Sequence, residues 1–335
     1  MQFSPAGKNI LVIKLGGLGD VILFLPQLAR ILDAHAPDRV TLLTAPDYAE
    51  IVAGFPQLQV VCFRRKGALE MSRLLAWLLG RQFDVVYDLQ DSLRSRVVTL
   101  LTQAGKRVGR SPGIAYTHTP LAATDRVHAF DRFNEVLVAG GIEAASPGLQ
   151  LPVSTAVASR VVAWLQQHGI ANQRLVLLHA GCSRQWPAKR WGETYFQTLA
   201  TCLEARGFVL VWIGGEDDRA LNGRLADTAG VDATSVFSFA ELLALAGHAQ
   251  FAVTNDSGPM HVLSAAGLPV YAFFGPTDWR RSHALGQAAR VLVHPVPCSP
   301  CHLPVCPPAH QHACLQGMTP ETVLARLEAD GLLPS

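Results

Sequence analysis

A chain of 335 residues is too long for one ordinary hydrophobic core and fits two domains. Hydrophobic residues make up 49% against 16% charged, which excludes a disordered chain and suits buried parallel strands, and a formal charge of +2 leaves no basic excess of the kind nucleic-acid binding requires. Seven cysteines, an odd number with Cys62, Cys182 and Cys202 scattered, do not make a secreted disulfide framework. The apolar run from Ile10 to Leu25 is interrupted by Lys14 and Asp20, so it is neither a signal-peptide core nor a membrane span, and a cytoplasmic protein is expected.

Residues 9–15 (NILVIKL) read as a buried first strand, followed by the turn Gly16-Gly17-Leu18-Gly19-Asp20 and a helix reaching at least Arg30. The turn imitates a dinucleotide fingerprint. Ile22, however, stands where the third small residue belongs, and Asp20 would repel a pyrophosphate, so a nicotinamide dehydrogenase is set aside. Strand and helix signals then alternate: strands at 40–44, 58–63 and 84–88, helices at 47–54 and 68–81, a helix entered through 89–96, a short strand at 107–109 and a helix at 130–139. Residues 140–152 carry Gly140-Gly141, Pro147-Gly148 and Pro152 without sustained period and read as a linker.

After the linker the alternation restarts, with helices at 156–168, 193–206, 218–229 and 240–246 and strands at 175–178 and 209–213. Ala249 to Val253 is a further buried strand, and Thr254-Asn255-Asp256-Ser257 breaks it with capping residues. Gly258 and Pro259 suit the first helical positions, and Gly267 stops the helix. Such a helix start offers free N–H groups and a positive dipole end to a phosphate, with His261 in the first turn as an added donor and Gly258 permitting close approach. The plain alternative is that Asp256 and Ser257 merely cap a helix. Residues 270–274 form the next strand, and Gly275-Pro276-Thr277-Asp278 turns at its carboxyl end, the edge on which open α/β sheets bind ligands.

Two more loops fall on that edge. In HAGCSRQWPAKRW (179–191), Arg184, Lys189 and Arg190 bring the charge to neutralise a diphosphate, although loop cations are usually just solvated. Gly214-Gly215-Glu216-Asp217 places an acid where ribose hydroxyls are bound in other nucleotide folds, with Glu216 the choice over Asp217. In the N-terminal half Asp20 is the one carboxylate on the loop facing the ligand edge, with helix capping as its plain alternative. Arg64, Arg65, Lys66, Arg94, Arg96, Arg107, Arg110, Arg126 and His128 add positive charge suited to an anionic acceptor, or to nothing but solvent. Cys298-x2-Cys301-x4-Cys306-x7-Cys314 has the count of a tetrahedral zinc or iron site; the reading taken is thiols without metal, with the four-ligand site as its alternative. Thr319, Pro320 and Glu321 open a last helix whose apolar stripe is Val323, Leu324 and Leu327.

The motifs LGGLGDV (15–21), HAGCSRQWP, NDSGPMH (255–261), FGPT (274–277) and the cysteine segment followed by MTPETV resemble glycosyltransferase family 9, whose members are mainly ADP-heptose:lipopolysaccharide heptosyltransferases. The similarity runs over nearly the whole chain. It implies an α/β protein of GT-B architecture, two doubly wound Rossmann-like domains facing across a cleft: 1–150 for the acceptor, 151–318 for the nucleotide sugar, and a C-terminal helix at 319–335 packing back toward the N-terminal domain. The implied reaction is an inverting, metal-independent transfer of heptose from ADP-heptose, a donor substrate, with no cofactor required, to a hydroxyl of the anionic lipopolysaccharide inner core. Peripheral contact with the cytoplasmic face of the inner membrane, and no nucleic-acid partner, go with it.

Carried over residue by residue, the resemblance makes Asp20 the general base. The donor-binding set is Arg184, Lys189, Glu216, Phe237, Asp256, Ser257, Gly258, Pro259, Met260, His261 and Thr277; Arg64, Lys66, Arg94 and His128 are assigned to the acceptor. Arg184 departs from the pattern, standing where a lysine is common. Two rival readings are a GT-B transferase using another nucleotide sugar or a protein acceptor, as in autotransporter heptosyltransferases, and a nucleotide-sensing interaction module with a metal-dependent cysteine surface.

Overall fold

The computed structural model describes residues 7–64, 67–123, 127–148, 151 and 153–333. The chain divides into two compact units, Met1–Leu149 and Gln150–Ser335. The first contains β1 (Asn9–Ile13), α1 (Leu18–Ala34), β2 (Arg39–Thr44), β3 (Gln59–Cys62), α2 (Ala68–Leu79), β4 (Val85–Asp88), α3 (Leu93–Leu101), β5 (Lys106–Val108) and α4 (Ala129–Ala139). Its strands are all parallel, in the order β3-β2-β1-β4-β5. Ile10 to Ile13 are fully buried, because a central parallel strand is covered on both faces and has no use for polar alternation. Leu11, Ile13, Leu43 and Val86 pack with Leu74 and Leu78 of α2 and Val98 of α3. The helix expected at 47–54 is instead two single 3-10 turns, Pro46–Tyr48 and Glu50–Val52, since Gly54 and Pro56 stop any longer run.

The second unit follows the same plan with α5 (Thr155–Gln167), β6 (Leu175–His179), α6 (Glu193–Glu204), β7 (Val209–Trp212), α7 (Arg219–Ala226), β8 (Val231–Asp232), α8 (Phe239–Ala246), β9 (Ala249–Asn255), α9 (Gly258–Ala265), β10 (Val270–Phe273), α10 (Trp279–Ser282), β11 (Val291–Leu292), α11 (Ala313–Gln316) and α12 (Pro320–Ala329). Its six strands are parallel in the order β11-β10-β9-β6-β7-β8. The expected class, α/β with two doubly wound units, is the one the chain adopts. Sequence reading missed β8 and β11, each two residues long and too short to carry a period.

In this second unit one core holds Trp191 stacked on Phe273 at 4.1 Å, with Phe196, Trp212 and the helix α12. The other face is covered by residues of α5, α8 and α9. The apolar stripe of α12, Val323, Leu324 and Leu327, is buried in that first core beside α6. The apolar partners of that stripe lie within the second unit. Among the described residues no helix is long and apolar enough to cross a membrane.

Candidate active site

In each unit the order of strands reverses once, between β1 and β4 in the first and between β6 and β9 in the second. A crevice opens at the carboxyl ends of the strands at such a point, and ligands of open α/β sheets bind there. Charged and polar side chains gather at both reversals.

At the first reversal, Lys14, Asp20, Asp88, Gln90, Arg110 and Arg132 line one cavity. Asp20 lies in the first turn of α1, but the cap position belongs to Gly17 and no side chain caps the helix. Capping, the plain explanation for Asp20, is therefore not its role. Its carboxylate is half exposed, and Oδ2 pairs with the Lys14 ammonium at 3.4 Å. The amides of Leu15 and Gly16 are not left for an anion, since they donate to Gln90 Oε1 at 2.8 and 3.1 Å. Asp88 is fully buried and accepts from Gln90 N, Asp91 N and the Tyr116 hydroxyl, at 2.9, 3.1 and 2.6 Å. Burial raises its carboxyl above the usual range.

The three acceptor candidates among the described residues do not gather in this way. Arg64 is exposed, its backbone N–H donating to Glu70 Oε2 at 3.2 Å. Arg94 sits half-buried in the first turn of α3. His128 is buried as the N-cap of α4, its Nδ1 accepting from Phe130 N at 3.2 Å, which is a structural use of the ring. Lys66 lies outside the described residues, as do Arg65 and Arg126.

At the second reversal the sequence-predicted residues converge. Lys189 Nζ pairs with Asp256 Oδ2 at 2.8 Å, both groups largely buried, and the Thr277 hydroxyl donates to the same oxygen at 2.6 Å. Three loops, after β6, β9 and β10, are thus fastened to one carboxylate. Ser257 holds the N-cap position of α9 without capping it. Its hydroxyl meets His179 Nδ1 at 3.0 Å and donates to Asn255 O at 3.3 Å. The first turn of α9, with Gly258 and Pro259 leading it and His261 buried within it, is left without a side-chain cap. The main-chain N–H groups and dipole of an uncapped helix start suit an anion.

The remaining donor candidates vary. Arg184, largely exposed, pairs with Asp217 at 2.6 Å. Glu216 receives both arms of Arg219 at 2.6 Å, and this hydrogen bonding holds its carboxyl below the usual range. The Ser235 hydroxyl approaches the same carboxylate at 3.4 Å. Two of the candidates have side chains packed against the core. Met260 is fully buried in the core, so any part it takes in a site is through its main chain. Phe237 packs edge-on against Trp164 at 4.9 Å, a core contact.

Sequence reasoning missed the polar residues that hold these loops. Asn255, fully buried, donates to Ala180 O and Gly181 O at 2.8 and 3.1 Å and accepts from Trp191 N at 3.0 Å. His179 has Nε2 3.6 Å from Asp218 Oδ2, both buried, so Asp218, His179 and Ser257 form a row leading to the start of α9. Gly181 is required beside that row, because a Cβ there would come within 2.1 Å of Asp218 Oδ1.

The four C-terminal cysteines line one small cavity together with His310 and His312. Burial raises the Cys314 thiol, and the neighbouring cysteines push it the same way. Among the described residues, no three His, Cys, Asp or Glu side chains come together as metal ligands would.

The model of glycosyltransferase family 9 (heptosyltransferase) matches residues 71–311. Lipopolysaccharide heptosyltransferase 1 of Pseudomonas aeruginosa is 28% identical over 97% of this chain and 99% of its own length. A glycosyl transferase family 9 structure from Veillonella parvula superposes with a TM-score of 0.81 at 22% identity, covering 96% of both chains. The E. coli heptosyltransferase WaaC, solved with ADP, gives 0.71 at 21% identity over 96% of this chain and 99% of that one. The two-unit GT-B fold is common to them. With the family model spanning most of its length and a relative matched from end to end, this chain belongs to glycosyltransferase family 9, the heptosyltransferases, and is a glycosyltransferase.

Proposed function

We propose that the protein transfers heptose from ADP-heptose to a hydroxyl of the lipopolysaccharide inner core, with inversion and without a metal or other cofactor. The lipopolysaccharide heptosyltransferase matched along its whole length supports the acceptor class, and the E. coli WaaC structure with ADP-2-deoxy-2-fluoro heptose supports the donor. In this reading the ADP diphosphate lies at the start of α9. Ser257 and His261 contribute there, Lys189 and Arg184 add charge, and Glu216 meets the ribose. As the bond between the anomeric carbon and the phosphate oxygen breaks, negative charge grows on the diphosphate, and fixed N–H groups and cations stabilise it in the transition state. The acceptor oxygen forms the new bond to the anomeric carbon from the opposite side, and its proton passes to Asp20. ADP leaves as a stable anion, so one carboxylate suffices where a glycoside hydrolase needs two. The acceptor is a lipid, so the protein works from the cytoplasm in peripheral contact with the inner membrane.

The observation that carries this reading is Asp20: a half-exposed carboxylate at the β1/β4 reversal that caps no helix. The test is turnover of ADP-heptose with an inner-core acceptor, followed by mass spectrometry of the product and by release of ADP. Asp20→Asn should fold and bind ADP normally while turning over about a hundredfold or more slowly, in line with the loss of a general base. Near-normal turnover in that variant, or product formed only when a divalent ion is supplied, would sink the proposed mechanism.

A further inference from the structure

A lysine that is only 2% exposed at the end of a central parallel strand is costly unless its ammonium is engaged on every side. Lys14 is so engaged. Its Nζ lies 3.4 Å from Asp20 Oδ2, donates to Leu89 O at 3.2 Å, and sits 4.2 Å above the centre of the Phe133 ring. Those partners come from α1, the loop after β4, and α4, three elements that converge at the β1/β4 reversal. The pairing is asymmetric: the lysine is buried, whereas the side chain of Asp20 is 46% exposed. The cation is thus fixed in the protein, and the carboxylate is the group that reaches out from it. Lys14 borders the cavity, but its ammonium is already committed to these three partners.

We propose that Lys14 is the positioning residue of the base: its buried ammonium grips one oxygen of Asp20, so that the other is held ready for the acceptor hydroxyl. The proposal rests on the reading of Asp20 as proton acceptor. Holding the carboxylate matters because proton transfer and attack occur together, and a small misplacement of the acceptor oxygen lowers the rate steeply. When the proton arrives, Asp20 becomes neutral and Lys14 stays charged against Leu89 O and the Phe133 ring. The site is then reset by loss of that proton to solvent.

The test is a double-mutant cycle between Lys14→Met, which keeps the bulk and removes the charge, and Asp20→Asn. K14M should lower kcat about 10- to 100-fold, the cost expected of a misplaced catalytic group, with the KM for ADP-heptose within about twofold of the parent, because the donor contacts are not altered. In the D20N background K14M should cause no further loss, since it acts only through Asp20. Independent losses that multiply in the double variant would overturn the proposal, as would K14M turning over within about twofold of the parent. If K14M does not fold, K14Q takes its place in the same cycle, where the same results support or overturn the role of Lys14. Failure of the base reading shows separately, as near-normal turnover in D20N alone; D20N inactive beside a normal K14M removes only the role of Lys14.

Discussion

Replacing Asn255 by alanine should loosen the second unit at the place where its ligand loops are joined. The amide of Asn255 satisfies Ala180 O, Gly181 O and Trp191 N, and all four residues are buried. In Asn255→Ala these three main-chain groups lose their partner in a region closed to water, at about 1 to 3 kcal/mol for each unsatisfied group. Both carbonyls share one NH2, so the lower end applies, and a total of about 3 kcal/mol is expected. For a unit of this size the melting temperature falls by about 2 to 4 °C per kcal/mol, which gives a drop of about 6 to 12 °C. Asn255→Asp should be at least as damaging, because a carboxylate still accepts from Trp191 N but offers no donor to the two carbonyls. Thermal unfolding followed by tryptophan fluorescence and by calorimetry measures both. A melting temperature within about 1 °C of the parent for Asn255→Ala would refute the claim that this amide holds the loops together.

Gly181→Ala forces a Cβ to within 2.1 Å of Asp218 Oδ1, so Asp218 must move away from His179 and the row ending at Ser257 is disturbed. ADP affinity by calorimetry should fall about tenfold, equivalent to roughly 1.4 kcal/mol, and unchanged affinity would show that the row does not support the start of α9. On the alkaline side, burial lowers the pKa of Lys14; Arg132 acts in the same sense, while Asp20 and Asp88 oppose it. Turnover should therefore fall with rising pH before an ordinary lysine would titrate, as the ammonium loses its proton and its hold on Asp20. Lys14→Arg keeps the charge at any accessible pH and should remove that limb from the profile of kcat against pH; an identical alkaline limb in K14R would assign it to another group.

What was legible in the sequence was chemistry written in neighbouring residues. Asn-Asp-Ser-Gly-Pro marks the start of α9, because capping residues, a glycine and a proline at the first turn act over a few residues. The same locality exposes Thr319 as the cap of α12, where its hydroxyl accepts from Thr322 N. The glycine turn after β1 announces a ligand loop and the residues in it, but capping does not explain Asp20. A cap needs its side chain at the position before the first helical residue, and that position is Gly17. Lys14 was visible only as an interruption of an apolar run. A lysine inside an otherwise unbroken strand pattern, six residues ahead of an acid across a glycine turn, was the available signal that the strand ends on a buried ion pair.

The partnerships that build the second reversal were not legible for a physical reason. Every strand of a covered parallel sheet reads as the same apolar run, so sequence order says that β6 and β9 exist without saying that they are neighbours. Yet that adjacency sets His179 against Ser257 and Asn255 against the loop after β6, pairs separated by more than seventy positions in the chain. The burial of Asn255 follows from it too. An amide between two strand ends replaces the ladder partners those ends lack, and this leaves the first N–H groups of α9 for something else. Local capping would have consumed those groups. The helix start is therefore available to an anion because its obvious cap, Ser257, is turned toward His179 by a strand order the sequence does not reveal.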